Sequence, residues 1–93
     1  MEKVLLFHLK NCPYCHNARR ALSELADEDT KYETVDIEWI EENEHPELLG
    51  KFDYYYVPSV FYEGNKLYEA HPHEPYDECK AHLKAALDTV LGN

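Results

Sequence analysis

Basic residues are scarce in this chain: 9 lysines and arginines stand against 19 aspartates and glutamates, a formal net charge of −10. A surface this acidic repels the phosphates of nucleic acid and the headgroups of anionic membranes, so neither is expected as a partner. The same excess keeps a small protein soluble. Long apolar runs are missing too. The first, Val4 to Leu9, is interrupted at His8 and closed by Lys10, with no small-residue cleavage site after it. It is too short for a secretory signal core and far too short to span a bilayer, which makes the cytoplasm the expected compartment. Cysteine is sparse: three residues, an odd number, rather than the even, scattered framework of a small secreted protein. Two of them, Cys12 and Cys15, form a Cys-x-x-Cys pair. In a cytoplasmic protein a structural disulfide is disfavoured there, and a catalytic or metal-binding pair is expected.

What is present suits one domain over residues 1–93. With 44% hydrophobic and 13% aromatic residues the chain can bury a real core, which argues against disorder. No internal repeat, linker or low-complexity segment divides it. Val4 to Leu9 reads as a buried strand. Pro13 suits the first position of a helix, and Cys15, Ala18, Ala21, Leu22 and Leu25 then form one apolar stripe. The acidic Asp27-Glu28-Asp29 cluster opposes the helix dipole and should stop the helix. Tyr32 to Ile37 is expected as a second strand and Pro46 to Phe52 as a short helix with Leu48, Leu49 and Phe52 inward. Pro58 to Tyr62 and Lys66 to Glu69 are expected as a hairpin about Glu63-Gly64-Asn65. A final helix, Tyr76 to Leu91, carries Cys79, Leu83, Leu87 and Val90 on one face.

The order β-α-β-α-β-β-α gives an α/β fold: a four-stranded mixed sheet flanked by three helices, on both of its faces. The loop after the first strand then lies at the carboxyl end of a parallel strand, where α/β proteins place their sites. Cys12 sits in that loop. A helix start offers unpaired N–H groups and a positive dipole end, which favour the thiolate form of a cysteine at its cap. Cys15 lies one turn inside, close enough to form a readily reducible bridge. Lys10, His16, Arg19 and Arg20 add local positive charge. Other uses of the pair stay open: half of a zinc site completed by Cys79 and histidines, an iron–sulfur cluster shared across a dimer, or a structural role.

Cys12-Pro13-Tyr14-Cys15, the later Ala18 and Leu22-Ser23-Glu24-Leu25, Tyr32 with Asp36, and Val57-Pro58-Ser59-Val60-Phe61 with Gly64 resemble the dithiol glutaredoxins along nearly the whole chain. That resemblance implies a thioredoxin-like fold and a thiol–disulfide oxidoreductase acting on protein disulfides or glutathione mixed disulfides. By it, Cys12 is the nucleophile and Cys15 the resolving thiol. Pro58 is a cis-proline facing them, with the Val57 backbone pairing with a glutathione or peptide backbone. Lys10, Tyr14, Val57 and Pro58 are then the substrate- or glutathione-binding residues. No bound cofactor or metal is implied. Glutathione is the co-substrate, either it or a thioredoxin reductase is the reductant, and the protein is a monomer. The competing expectation is a cluster- or metal-binding relative without reductase activity.

The chain also departs from the pattern. Glu69-Ala70 stands where glycines usually hold the γ-glutamyl end of glutathione, and Glu69 is expected to add a repelling charge there. Asp77 is a candidate for the aspartate that normally follows. Lys10 lies two residues before the nucleophile instead of three, and Tyr54-Tyr55-Tyr56 replaces an Arg-Thr pair. Glutathione affinity is therefore expected to be weak. The tyrosine run is expected to pack at a strand edge and Cys79 in the core, while Trp39 has no partner that the sequence names.

Overall fold

The computed structural model describes residues 3–48 and 50–92. Strand β1 (Val4–His8) leads into helix α1 (Pro13–Glu28), a 3-10 turn at Thr30–Thr34 and strand β2 (Ile37–Glu41). Two further 3-10 turns, Glu42–Glu44 and Pro46–Leu48, precede strands β3 (Ser59–Tyr62) and β4 (Asn65–Glu69) and helix α2 (Tyr76–Val90). The sheet order is β2-β1-β3-β4, with β1 and β2 parallel and the other pairs antiparallel. This is a thioredoxin-like α/β fold with the expected four-stranded mixed sheet. Among the described residues no helix is long and apolar enough to cross a membrane.

Alternation along β1 divides the core into two layers. Val4 and Leu6 point to one face, where Ala18, Ala21 and Leu25 of α1 meet Leu83 and Leu87 of α2. Leu5 and Phe7 point to the other, against Ile40, Phe61, Phe52 and Tyr54. α1 stops at Glu28, at the acidic cluster, and the β3–β4 turn places Glu63 at φ 53° and Gly64 at φ 80°. Positive φ at both positions is what a two-residue hairpin turn of the primed type requires.

Two expected elements are corrected. Tyr32 to Thr34 is not strand but part of the 3-10 turn. Asp29 caps that turn by accepting a bond from the Lys31 amide at 3.1 Å, and the Thr34 hydroxyl donates to the Lys31 carbonyl at 2.7 Å. Side-chain bonds of this kind compete with strand pairing. Tyr32 is buried under the helices and donates its hydroxyl proton to Asp88 at 2.7 Å, so the strand begins only at Ile37. Trp39, in the shifted strand, does have a partner: its ring meets the His8 ring edge-on, centroids 5.3 Å apart.

The middle helix is absent. Only Pro46–Leu48 forms a 3-10 turn, because Gly50 takes φ 87°, outside the helical range, before a second turn can follow. So short a segment cannot offset the entropy of helix nucleation. Leu48 and Phe52 still pack against the Phe7 layer, whereas Leu49 falls outside the described residues. The sheet thus carries two α-helices on one face and turns and loops on the other.

Phe7 is wholly buried, its ring centroid within 6 Å of those of Phe52, Tyr54 and Phe61. Phe7→Ala should therefore lower stability by about 3–5 kcal/mol, read as a fall in the urea midpoint with little change in slope. A loss under about 1 kcal/mol would show that the aromatic layer does not hold the sheet.

Candidate dithiol site

β1 ends, the chain turns, and α1 begins within four residues. The Cys12 amide donates to the Leu9 carbonyl at 3.3 Å, and Pro13 occupies the first helical turn. Cys12 is the N-cap residue, in extended backbone (φ −86°, ψ 124°), and its carbonyl accepts the first helical bond from the His16 amide at 3.0 Å. Its side chain makes no capping bond and is half-buried, with Sγ 3.9 Å from the Val57 carbonyl oxygen. Cys15 is fully buried on the helix stripe, and its sulfur accepts a bond from the Leu9 amide at 3.4 Å. Burial pushes the Cys15 thiol up to about 12; the neighbouring Cys12 side chain adds to the effect, while the Leu9 amide and Arg19 oppose it. Both are free thiols.

On one side of Cys12 lies a cleft of about 400 Å³, lined by Leu9, Lys10, Asn11, Glu41, Asn43 and Glu44. Glu41 is buried there and organises the turn. Its carboxylate accepts from the Lys10 amide at 2.8 Å and the Asn43 amide at 2.7 Å, and these bonds, Asn43's first, hold it below the ordinary carboxylate range. The Lys10 ammonium pairs with Glu44 at 2.8 Å. Arg19 reaches the Lys10 carbonyl at 3.2 Å and His8 Nδ1 at 3.4 Å; burial, with Arg19 assisting, lowers the His8 pKa. Arg20 is corrected: it turns away to Glu24 at 3.4 Å and stacks 4.1 Å over the Tyr76 ring. His16 is exposed.

On the other side is a mostly apolar groove of about 230 Å³, formed by Tyr14, Tyr56, Val57, Ala70, His71 and Pro72. The Val57–Pro58 bond is cis, as the resemblance implies, and Pro58 is buried. The Pro58 carbonyl accepts from the Ala70 amide at 3.0 Å. The Tyr14 hydroxyl accepts from the His73 amide at 2.7 Å, which ties the dithiol motif to the 71–75 connection.

Two further expectations are revised by this side of the molecule. Glu69 does not line the groove; it accepts from the Tyr55 and Tyr56 amides at 2.6 and 2.8 Å and pairs with Lys66 at 2.7 Å. The tyrosine run is a loop and not a strand edge: Tyr54 joins the Phe7 layer, whereas Tyr55 is 87% exposed. Cys79 is a core residue, as expected, and burial raises its thiol pKa, so it sits in the helix layer and not in a shared cysteine site. Asp77 stands exposed in the first turn of α2. Sequence reasoning missed Glu41 and Glu74, two acids that are buried although nothing in their local pattern marks them.

A thioredoxin-like sheet carrying a free Cys-x-x-Cys at the start of its first helix, with a cis-proline loop against it, defines a thiol-redox protein of the thioredoxin fold. Residues 3–88 match the family described as glutaredoxin-like domain (DUF836), and the chain belongs to that family. The family is glutaredoxin-like and does not single out the dithiol Cys-Pro-Tyr-Cys glutaredoxins. Neither a curated protein nor a solved structure gives a match.

Glu41 titrates lower folded than unfolded, so its contribution is complete above the unfolded value of about 4.3 and is lost as pH falls through the native value. Glu41→Gln should destabilise the protein at neutral pH, and the gap from wild type should close in strong acid. Urea melts at both pH values test this; a gap that is the same at both would remove Glu41 from the turn's support.

Proposed function

We propose that this protein is a thiol–disulfide oxidoreductase that reduces glutathione mixed disulfides or protein disulfides, Cys12 attacking and Cys15 resolving. The observation that carries the reading is the inequality of the two thiols: Cys12 is accessible at a helix start, while Cys15 is buried and its thiol pushed up to about 12. The first thiol stands open to a substrate disulfide, and burial keeps the second protonated until it is needed. Cys12 Sγ attacks one sulfur of the substrate disulfide, forming a mixed disulfide and releasing the other sulfur as a thiolate. Cys15, on losing its proton, attacks Cys12 Sγ, closes the Cys12–Cys15 disulfide and releases the second substrate thiol. Two electrons from two glutathione molecules, or from a thioredoxin reductase, restore the dithiol.

The binding roles go to Lys10, Tyr14, Val57 and Pro58. The Val57 backbone is offered beside Cys12 for strand-like pairing with a peptide, and the Tyr14 ring walls the groove on the other side. Lys10 reaches a glutathione carboxylate only in competition with Glu44. The reducing cytoplasm and a monomeric state complete the reading, and glutathione is a co-substrate, not a resident cofactor.

Cys12→Ser should reduce turnover of every disulfide to background. Cys15→Ser should keep activity on a glutathionylated substrate and lose it on a protein disulfide. A coupled assay with glutathione and its reductase, repeated with thioredoxin reductase, separates the reductants. Equal loss in both variants on the glutathionylated substrate would overturn the assigned order. Anaerobically purified protein holding stoichiometric iron, with no reductase activity, would replace the reading with a cluster carrier. In the same assay Glu44→Gln, which frees the Lys10 ammonium, should lower the KM for glutathione severalfold with kcat unchanged. An unmoved KM would remove Lys10 from the binding residues.

A further inference from the structure

The connection 71–75 and the first two turns of α2 hold a second cluster of chemically capable side chains. We propose that His71, Glu74 and Glu78, joined by His82, bind one divalent metal ion of borderline softness, zinc by preference, independently of the two cysteines. Among the described residues, donor atoms of His71, Glu74 and Glu78 lie within 4.8 Å of one another, and no cysteine belongs to the group. His82 borders it one turn further along the helix, its Nδ1 3.4 Å from Glu74 and 4.0 Å from Glu78.

The buried carboxylate points to a ligand. The Glu74 side chain is 1% exposed. One oxygen accepts from the Tyr68 hydroxyl, but Oε2 has no hydrogen-bond donor and faces His82 at 3.4 Å and His71 Nε2 at 3.8 Å. A buried carboxylate oxygen without a donor is rare enough to demand a counter-group. A protonated His71 would satisfy Glu78, which its Nε2 already contacts, and would still leave Glu74 Oε2 without a donor. A cation between the four side chains satisfies both carboxylates at once.

The donor geometry suits zinc. Bonds of about 2.0–2.2 Å in a tetrahedral site set donors roughly 3.3–3.6 Å apart, close to the separations of 3.4–4.0 Å found here for Glu74 with both histidines and for Glu78 with His82, whereas the direct His71–Glu78 contact must open as the metal enters. His71 Nδ1 lies 3.0 Å from the Pro72 carbonyl and Nε2 touches the Glu78 carboxylate, both acceptors, so the metal takes the place of the Nε2 proton while Nδ1–H keeps the ring oriented. Tyr68 orients Glu74 in the same manner. Glu78 and His82, four apart on α2, present their donors on one helix face. Two imidazoles and two carboxylates favour zinc over calcium or magnesium, which prefer all-oxygen sets.

Occupancy would reach the groove. His71 and Pro72 form part of its wall, and the His73 amide holds the Tyr14 hydroxyl. A metal that pins this connection to α2 would fix that wall.

The experiment titrates zinc chloride into the full-length Cys12→Ser/Cys15→Ser chain by calorimetry and follows its melting temperature, so that the dithiol cannot bind the metal. The expected result is one zinc per chain with a higher melting temperature. Glu74→Gln, and on the exposed side Glu78→Gln, should each weaken binding by about tenfold or more. No binding by the Cys12→Ser/Cys15→Ser chain, or affinity in both glutamine variants as high as in that parent chain, would overturn the site. Either result leaves the proposed redox chemistry of Cys12 and Cys15 untouched.

Discussion

The dithiol site depends on how closely α1 can approach β1. Cys15, Ala18 and Ala21 are all fully buried and all small, so the helix backbone lies close against the sheet over its first three turns. That approach brings the Leu9 amide, just past the last residue of β1, to the Cys15 sulfur. A larger residue at any of the three would push the helix outward and break this contact. The inequality of the two thiols then needs no further device. Position 15 falls on the inward stripe because a helix turns about 100° per residue, and position 12, at the cap, lies before that stripe begins. One piece of geometry buries one sulfur and leaves the other at the surface.

Charge around that geometry is arranged differently on its two sides. The cleft beside Lys10 is walled by Glu41 and Glu44, and the lysine's charge is already paired within it. An anionic substrate gains little there, since it must displace a carboxylate to reach the ammonium. The groove beside Tyr14 and Val57 carries almost no charge of its own and meets a ligand through apolar surface. In a chain of net charge −10, approach along the groove avoids the repulsion that the cleft offers. A neutral or basic peptide segment suits this arrangement better than a small anion does.

How much of this was legible in the residues follows from which forces act locally. The stripe of α1, its stop at the acidic cluster, the Glu63-Gly64 turn and α2 are set by periodicity and backbone preference within a few residues, and the structure agrees with them closely. Tyr32 failed as a strand residue because β propensity lost to the Asp29 cap and to a partner 56 positions away at Asp88. The middle helix failed at Gly50, whose breaking effect the proline before it obscured. At the site, Cys12, Cys15 and the cis bond could be read from motif and resemblance. Glu69 could not: its two amide partners lie in a loop 13 and 14 residues upstream. The His71, Glu74, Glu78, His82 spacing was visible as text, but acidic and histidine-rich stretches ordinarily read as solvated surface. Only the burial of Glu74 sets this one apart.

The 71–75 connection draws these features together. It is tied to the site just before its start and from within: the Ala70 amide bonds to the Pro58 carbonyl, and the His73 amide to the Tyr14 hydroxyl. Both donors are backbone groups, so they survive most substitutions at their own positions, whereas the side chain at position 14 must keep its hydroxyl to hold its end. His73 makes its bond from the left-handed region, at φ 64°, which few non-glycine residues adopt without support. That support comes from the next residue, Glu74, whose carboxylate is anchored in the core by Tyr68. The loop that commonly carries glycines in glutaredoxins here carries a buried acid instead. It is held by side-chain anchoring where a glycine loop relies on backbone freedom, and the groove wall is correspondingly set from the core outward.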